Sequence, residues 1–436
     1  MEEVPVATAF LRHDAEVLLC HRAADAPTYP GRWGGVSGAV EDGEDPVEAG
    51  RREAAEETGQ TDLALVRTGD PLTVDAPSYD RTFLIHPVLF DAADRDLELS
   101  AELQAAVWLP PTALLERETV PRCFETYRRV APTVQSIVAD DEHGAATLSI
   151  RALEVLRDRA GLLAAEGESD LEELRALADR LRRARPSMPV VRNRVNRVFA
   201  GSGDGDTGAG ASAPFGHDAS GAPASTPAAI EQAAIDGINR ALAADAEAAM
   251  RAAGLVSGWH VLTLSRSGTV FEALAADTAT AVSVAESRPA CEGVGVAEAL
   301  DERIDAPVTI HTDAAVAHRL AVEPIDALLV GADAVLPDGR VVNKTGTRAA
   351  AIAADREDVP VYVAAATDKI TTRETVPLES GTPEAVYDGP AGLDVANPTF
   401  DVTPADLLTG VVTERGVLAA EDVAAVAREL AALAPK

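Results

Sequence analysis

Five short apolar segments in the second half of the chain constrain its fold more than any other feature: HVLTLS (260–265), AVSVAE (281–286), PVTIHT (307–312), DALLVGAD (326–333) and PVYVAAAT (360–367). Helix-compatible sequence separates each from the next, the alternation of a parallel sheet covered on both faces. Residues 230–436 are therefore predicted to form an α/β doubly wound parallel sheet. Residues 1–132 read differently. VPVATAFL (4–11) and EVLLCHR (16–22) flank a polar Arg12-His13-Asp14 and predict a hairpin; TFLIHPVLF (82–90) predicts a later strand, and Asp45 to Thr58 a long helix. This is a mixed α+β unit.

From 138 to 199 the pattern is helical, with Leu153, Leu156, Leu162, Leu171, Leu174, Leu177 and Leu181 spaced among Arg, Asp and Glu as core positions of amphipathic helices. Residues 200–229 are Gly, Ala, Ser, Pro and Asp with one aromatic, too poor in apolar bulk to fold alone, and read as a flexible loop or linker. At 436 residues the chain has room for these parts as separate folding units.

Charge excludes some partners. Asp and Glu number 71 against 38 Lys and Arg, a formal net charge of −33, and the only lysines are Lys344, Lys369 and Lys436. A field of that sign repels phosphate backbones and anionic lipid, so tight nucleic-acid binding would need a local basic patch. Acidic surface, scarce Lys and abundant Ala, Val and Asp resemble the proteins of a salt-accumulating, archaeal-like halophile. In molar salt the Debye length is only about 3 Å, which screens the self-repulsion. No apolar run approaches the roughly 20 residues of a membrane span, and the start, MEEVPVATAF, lacks the layout of a signal peptide. Cys20, Cys123 and Cys291 are isolated, without metal-ligand or disulfide spacing. The expectation is a reduced, cytoplasmic protein with no membrane partner.

The first chemical constellation lies at 38–60, GAVEDGEDPVEAGRREAAEETGQ. Glu53, Glu56 and Glu57 stand at i, i+3 and i+4, so a helix puts three carboxylates on one face. Like charges so placed repel, and a divalent cation relieves them; oxygen-only ligation selects Mg²⁺, with Mn²⁺ as the alternative. Such an ion can neutralise a pyrophosphate and activate a water against phosphorus. Arg52 can hold a neighbouring carboxylate through a bidentate pair. A solvated acidic helix face would show the same EAAEE string, but Gly38, Gly43, Gly59 and Glu44 around it are loop and cap chemistry that such a face does not require.

These residues resemble the Nudix box: Gly38, Glu44, Arg52, Glu53, Glu56, Glu57 and Gly59 fill its polar and glycine positions at the right spacing, with Ala54 and Gln60 as departures. The resemblance covers roughly residues 4 to 130, including GRWGGVSG (31–38) and LSAELQAAVWL (99–109). It implies an α+β Nudix sandwich that hydrolyses a nucleoside diphosphate linked to another group, with Glu53, Glu56 and Glu57 as metal ligands and Glu44 supporting them. Glu102 is, on the same resemblance, an additional ligand or general base, or else a surface charge. Trp33 and Tyr79 can stack on a base or simply pack.

The second constellation is the carboxyl edge of the predicted sheet, where open α/β sheets bind ligands. Its strand ends carry Ser265-Arg266-Ser267-Gly268-Thr269, Glu286-Ser287-Arg288-Pro289, Thr312-Asp313, Gly331-Ala332-Asp333 and, in the following loop, Asn343-Lys344-Thr345-Gly346-Thr347. Each alone is ordinary turn chemistry; together, with Arg288 and Lys344 as cations and backbone N–H groups as donors, they favour a phosphorylated ligand.

ESRPACEG (286–293), VGADAVLPDGRVVNKTGT (330–347) and, more loosely, ARPSMP (184–189) and EHGAA (142–146) resemble the family that unites translation initiation factor 2B subunits with methylthioribose-1-phosphate and ribose-1,5-bisphosphate isomerases. The resemblance implies a helical subdomain, a Rossmann-like domain and commonly a homodimer through the latter. It also implies sugar-phosphate or nucleotide binding by Arg185, Ser265, Arg266, Ser267, Arg288, Asn343 and Lys344. The isomerases of that family move hydrogen between C1 and C2 with a cysteine and an aspartate. Asp333 matches the aspartate, but Ser265 stands where the cysteine belongs, and a hydroxyl is much harder to ionise than a thiol of pKa about 8.5. Three readings of this half stay open: a sugar-phosphate or nucleotide binding unit, an isomerase, and a non-enzymatic regulator that contacts a translation factor.

Overall fold

The computed structural model describes residues 2–200 and 224–435. It divides into two compact units: the described residues of 1–134, 153–176 and 225–235, and those of 135–152, 177–224 and 236–436. The linker expected at 200–229 lies, over 201–223, outside the described residues, and a helix begins at Pro227.

The first unit is built on one mixed sheet of eight strands: β1 (Glu2–His13), β2 (Glu16–Arg22), β3 (Trp33–Gly34), β4 (Val36–Ala39), β5 (Leu63–Thr68), β6 (Leu72–Ala76), β7 (Arg81–Ala92) and β8 (Leu103–Leu109). The predicted hairpin is β1–β2, turned by Asp14 and Ala15 at positive φ. β1 then runs parallel to β7 from Glu2↔Arg81 to Arg12↔Asp91, while the other pairs are antiparallel. Alternation along a strand sends successive side chains to opposite faces, and both faces of β1 are covered. Ala9 and Leu11 pack with Ala54 and Phe90, whereas Phe10 packs with Phe124 and Tyr127.

Helix α1 (Pro46–Thr58) lies where the spacing predicts it. Asp45 caps it by accepting from the Val47 N–H, Pro46 sits in the first turn, and Gly59 at φ 76 ends it. Gly50 costs about 1 kcal/mol inside a helix relative to Ala, yet a Cβ there would meet Phe90 Cε2 at 3.3 Å and Ala9 Cβ at 3.5 Å. The glycine lets α1 sit close on the sheet. Gln60, polar where an apolar residue is usual, is buried with its amide donating to Asp94 Oδ1 and the Asp96 carbonyl.

Helices α2 (Cys123–Arg128), α3 (Val134–Ala139), α4 (Ala145–Ala165), α5 (Glu172–Leu181), α6 (Pro189–Ala200) and α7 (Pro227–Leu255) follow. Leu153, Leu156, Leu171, Leu174 and Leu181 are buried, as their spacing predicts, and Leu162 and Leu177 partly so.

The second unit holds a seven-stranded sheet ordered β11-β10-β9-β12-β15-β17-β18, with β9 (His260–Leu264), β10 (Ala281–Ala285), β11 (Val308–His311), β12 (Ala327–Val330), β15 (Val361–Ala364), β17 (Gly410–Thr413) and β18 (Gly416–Leu418). Every pair is parallel except β17–β18. The five segments read from sequence are its first five strands; β17 and β18 extend the sheet beyond them. Strand order reverses between β9 and β12, which opens a crevice at their carboxyl ends. Along β12, Leu328 and Val330 join one buried cluster and Leu329 another, so both faces are covered. Helices α8 (Gly268–Ala275), α9 (Glu292–Arg303), α10 (Val316–Val322), α11 (Thr347–Arg356) and α12 (Ala420–Ala432) complete the unit.

A separate antiparallel sheet of β13 (Ala334–Val335), β14 (Val341–Lys344) and β16 (Phe400–Thr403) was not anticipated. It moves Asn343 and Lys344 from the expected loop into a strand, facing Asp401 and Phe400 across the ladder. Among the described residues no helix is long and apolar enough to cross a membrane.

Candidate functional site

In the first unit α1 presents its acidic face beside β4. Arg52 organises it. Its Nε donates to Glu44 Oε1 at 3.0 Å and its Nη2 to Glu44 Oε2 at 3.1 Å, while Nη1 donates to Glu53 Oε1 at 2.6 Å and Nη2 also reaches the Ala39 carbonyl at 3.0 Å. The Arg52 hydrogen bond holds the Glu44 carboxyl below its usual range. Gly38 is where a side chain cannot be: a Cβ there would lie 1.8 Å from Glu53 Oε1.

The three carboxylates of α1 differ in surroundings. Glu57 is 3% exposed, and one of its oxygens, Oε2, has no hydrogen-bond partner. Burial pushes its carboxyl up to about 8; Arg22 opposes this, and the charges of Glu53 and Glu102 add to it. Glu53 is also raised, first by burial and against the pull of Arg52, with Glu56 and Glu102 contributing. The Glu56 side chain is 63% exposed, with Oε2 3.5 Å from Arg52 Nη1. Glu102, itself exposed, thus lies within the field of Glu53 and Glu57.

All-oxygen donors and an orphaned buried carboxylate oxygen suit a hard divalent cation in kind and charge. They are not gathered in advance: among the described residues, no three His, Cys, Asp or Glu side chains stand close enough to hold an ion together. Trp33 stacks on His21, with ring centroids 4.7 Å apart, and Arg117 lies 5.3 Å from its ring centre. The Tyr79 hydroxyl accepts from the Tyr29 N–H, so packing accounts for both aromatics.

In the second unit the polar residues collect at the carboxyl ends of the strands. Ser265, at φ 65, follows β9; its N–H donates to Ser287 Oγ at 2.6 Å and its hydroxyl to Glu292 Oε2 at 3.4 Å. Ser267 caps α8, and its Oγ would lie 2.4 Å from a Cβ on Gly331, so the glycine permits the close approach of the β9 and β12 ends. Asp313 accepts from the N–H groups of Ser287 and Arg288 at 2.8 and 2.7 Å.

Every cation nominated from the sequence is engaged within the unit. Arg185 donates to Glu379 Oε2 at 3.1 Å and to the Asp140 carbonyl, Arg266 to the Glu142 carbonyl, and Arg288 to Cys291 Sγ at 3.4 Å. Lys344 Nζ lies 2.9 Å from Glu292. Asn343 donates to Thr347 Oγ1 at 3.0 Å and is buried.

Asp333 is half-buried, and loss of water raises its carboxyl to about 6, with Lys369 pulling it down and Glu379 and Glu292 pushing it up. Lys369 is 4% exposed; burial lowers its ammonium, against the charges of Asp245 and Asp333. Asn193 of α6 brackets it, donating at 2.8 Å to the carbonyls of both Asp368 and Ile370. The Asp368 carboxylate takes Arg197 at 2.7 Å and Arg194 at 3.4 Å. Sequence reasoning missed Lys369, Glu292 and Glu379. A signal existed for the first: Lys369 is one of three lysines in the chain and follows the fifth strand.

The two sites define a two-part α/β protein, one part carrying a helix with a carboxylate face, the other a crevice at the carboxyl ends of a parallel sheet. The chain belongs to the Initiation factor 2 subunit family, whose model matches residues 141–420, and it carries a NUDIX domain at residues 2–130. It is 34% identical to the ribose 1,5-bisphosphate isomerase of Haloterrigena turkmenica over 326 residues, 69% of this chain and 93% of that protein. Against the methylthioribose-1-phosphate isomerase of Thermosynechococcus vestitus the identity is 38% over 169 residues, 36% of this chain; the match spans about half of that relative, 47%. Two crystal structures share the fold. Translation initiation factor eIF-2B of Pyrococcus horikoshii OT3 superposes with a TM-score of 0.52 at 23% identity, over 65% of this chain and 94% of that one. The 5-methylthioribose 1-phosphate isomerase of the same organism gives 0.50 at 19%, over 76% and 90%.

Proposed function

We propose that the chain is a Mg²⁺-dependent hydrolase of a nucleoside diphosphate linked to another group, joined to a unit that binds a sugar phosphate or nucleotide. The observation that carries the first part is the Arg52 fork that ties Glu44 to Glu53 beside the buried Glu57. Glu53, Glu56 and Glu57 would hold Mg²⁺, or Mn²⁺ in its place. The ion, when bound, neutralises the diphosphate and lowers the pKa of an attacking water. Arg52 keeps Glu53 oriented, Gly38 leaves the carboxylate its space, and Glu102 would take a proton from water or add a ligand. Isolated, free cysteines support a reducing, cytoplasmic setting, and association as a homodimer is inferred from membership of the Initiation factor 2 subunit family. A screen of nucleoside di- and triphosphate derivatives for phosphate release, with Mg²⁺ in molar KCl, tests the hydrolase; no turnover of any would refute it.

A second reading is favoured by the raised Asp333 beside Lys369 and by the ribose 1,5-bisphosphate isomerase relative. Here Asp333 would carry a proton between C1 and C2 of an opened sugar phosphate. Ser265 speaks against it, lacking a thiol's acidity. Incubation with ribose 1,5-bisphosphate in D₂O, followed by NMR, decides: ketose formed by the wild type and lost in Asp333→Asn establishes the isomerase.

A further inference from the structure

Lys344 is buried, and an acid of the same unit already holds it. Its Nζ lies 3.0 Å from Oε1 and 2.9 Å from Oε2 of Glu292, with the two side chains 11% and 19% exposed. The Ser265 hydroxyl adds a donor to Oε2 at 3.4 Å. Glu292 opens α9 and lines, with Arg266, Ser267, Phe271 and Cys291, a cleft of about 710 Å³; Lys344 does not itself line that cleft and meets it through Glu292. Two oxygens seated on an ammonium and a hydroxyl present what two phosphoryl oxygens would present.

We propose that Glu292 sets the ligand selectivity of this crevice, acting as a built-in anion on Lys344 that a sugar phosphate must displace. The proposal rests on the reading of the second unit as a sugar-phosphate site. A phosphate that arrives while Glu292 stays brings like charges together where little water screens them, and one that expels Glu292 breaks a charge-assisted bond. Either way affinity for the dianion is held down, while an uncharged sugar meets no such competitor. Glu292→Gln keeps the size and polarity of the side chain and removes the charge.

Calorimetric titration of the full chain in KCl, with ribose 1,5-bisphosphate and with ribose as the uncharged control, reads this directly. Glu292→Gln is expected to bind the bisphosphate about tenfold more tightly than wild type, with ribose unchanged. In a Lys344→Gln background the same change is expected to bring a smaller gain, because only the repulsion between Glu292 and the phosphate is then relieved. Glu292→Ser serves as a second variant, and circular dichroism verifies that each is folded. Binding by both Glu292 variants that equals or falls below wild type overturns the role of Glu292 and leaves the sugar-phosphate reading standing. Bisphosphate bound by neither wild type nor any variant overturns that reading, and the inference with it.

Discussion

Arg52 grips Glu44 in a fork of two parallel hydrogen bonds, Nε to Oε1 at 3.0 Å and Nη2 to Oε2 at 3.1 Å, and has one nitrogen left for Glu53. A single planar cation thus fixes a loop carboxylate and a helix carboxylate together. Lysine has the charge without the fork. Arg52→Lys is expected to lower Mg²⁺-dependent hydrolysis roughly 10- to 100-fold, because misplacement of a catalytic group is costly even at small distances. Steady-state rates at saturating Mg²⁺ check it, and a rate within twofold of wild type would count against the fork.

Gly38→Ala tests the same geometry from the strand side. The added methyl would stand 1.8 Å from Glu53 Oε1 and 1.9 Å from its Cδ. The carboxylate must move, so Mg²⁺ affinity measured by calorimetry is expected to fall while the far-ultraviolet circular dichroism stays that of the wild type.

Asp333 gives stability a pH dependence of known sign. Its carboxyl lies at about 6 in the folded chain, against about 3.9 when unfolded. A folded state that holds the proton more tightly is favoured at low pH, so this contribution is complete below about pH 4 and is lost as pH rises through 6. Asp333→Asn cannot titrate. The melting temperature of the variant relative to wild type is expected to climb between pH 4 and pH 7 and then level; a flat difference, or one that falls, would contradict the raised carboxyl.

Asn193→Ala removes the amide that joins the carbonyls on either side of Lys369. Two buried acceptors lose a donor, and the variant is expected to be destabilised by about 1–3 kcal/mol in chemical denaturation.

What was legible in the sequence was local. The register of Glu53, Glu56 and Glu57 follows from helix periodicity, and the cap residues Asp45 and Gly59 mark the ends of α1. The inner parallel strands β9, β10, β12 and β15 were legible because a strand buried on both faces is mostly apolar. Pairings between distant residues were not. Lys344 and Glu292 are 52 positions apart, and nothing in either neighbourhood announces the other. The β13–β14–β16 sheet escaped notice because strands of two to four residues are too short to show a period. Asp401, which accepts from the N–H groups of Gly346 and Arg348 at the start of α11, became visible only through that sheet. Glu57 shows the limit within a motif: spacing put it beside Glu53 and Glu56, but only packing made it the buried member of the three.

The most direct test compares Mg²⁺-dependent phosphate release by wild type and Glu57→Gln on whichever nucleoside diphosphate derivative the wild type cleaves. The amide fills the same buried space but cannot carry the charge a cation needs, so turnover is expected to drop at least 100-fold with the fold intact by circular dichroism. Turnover equal to wild type would show that hydrolysis does not pass through the carboxylates of α1.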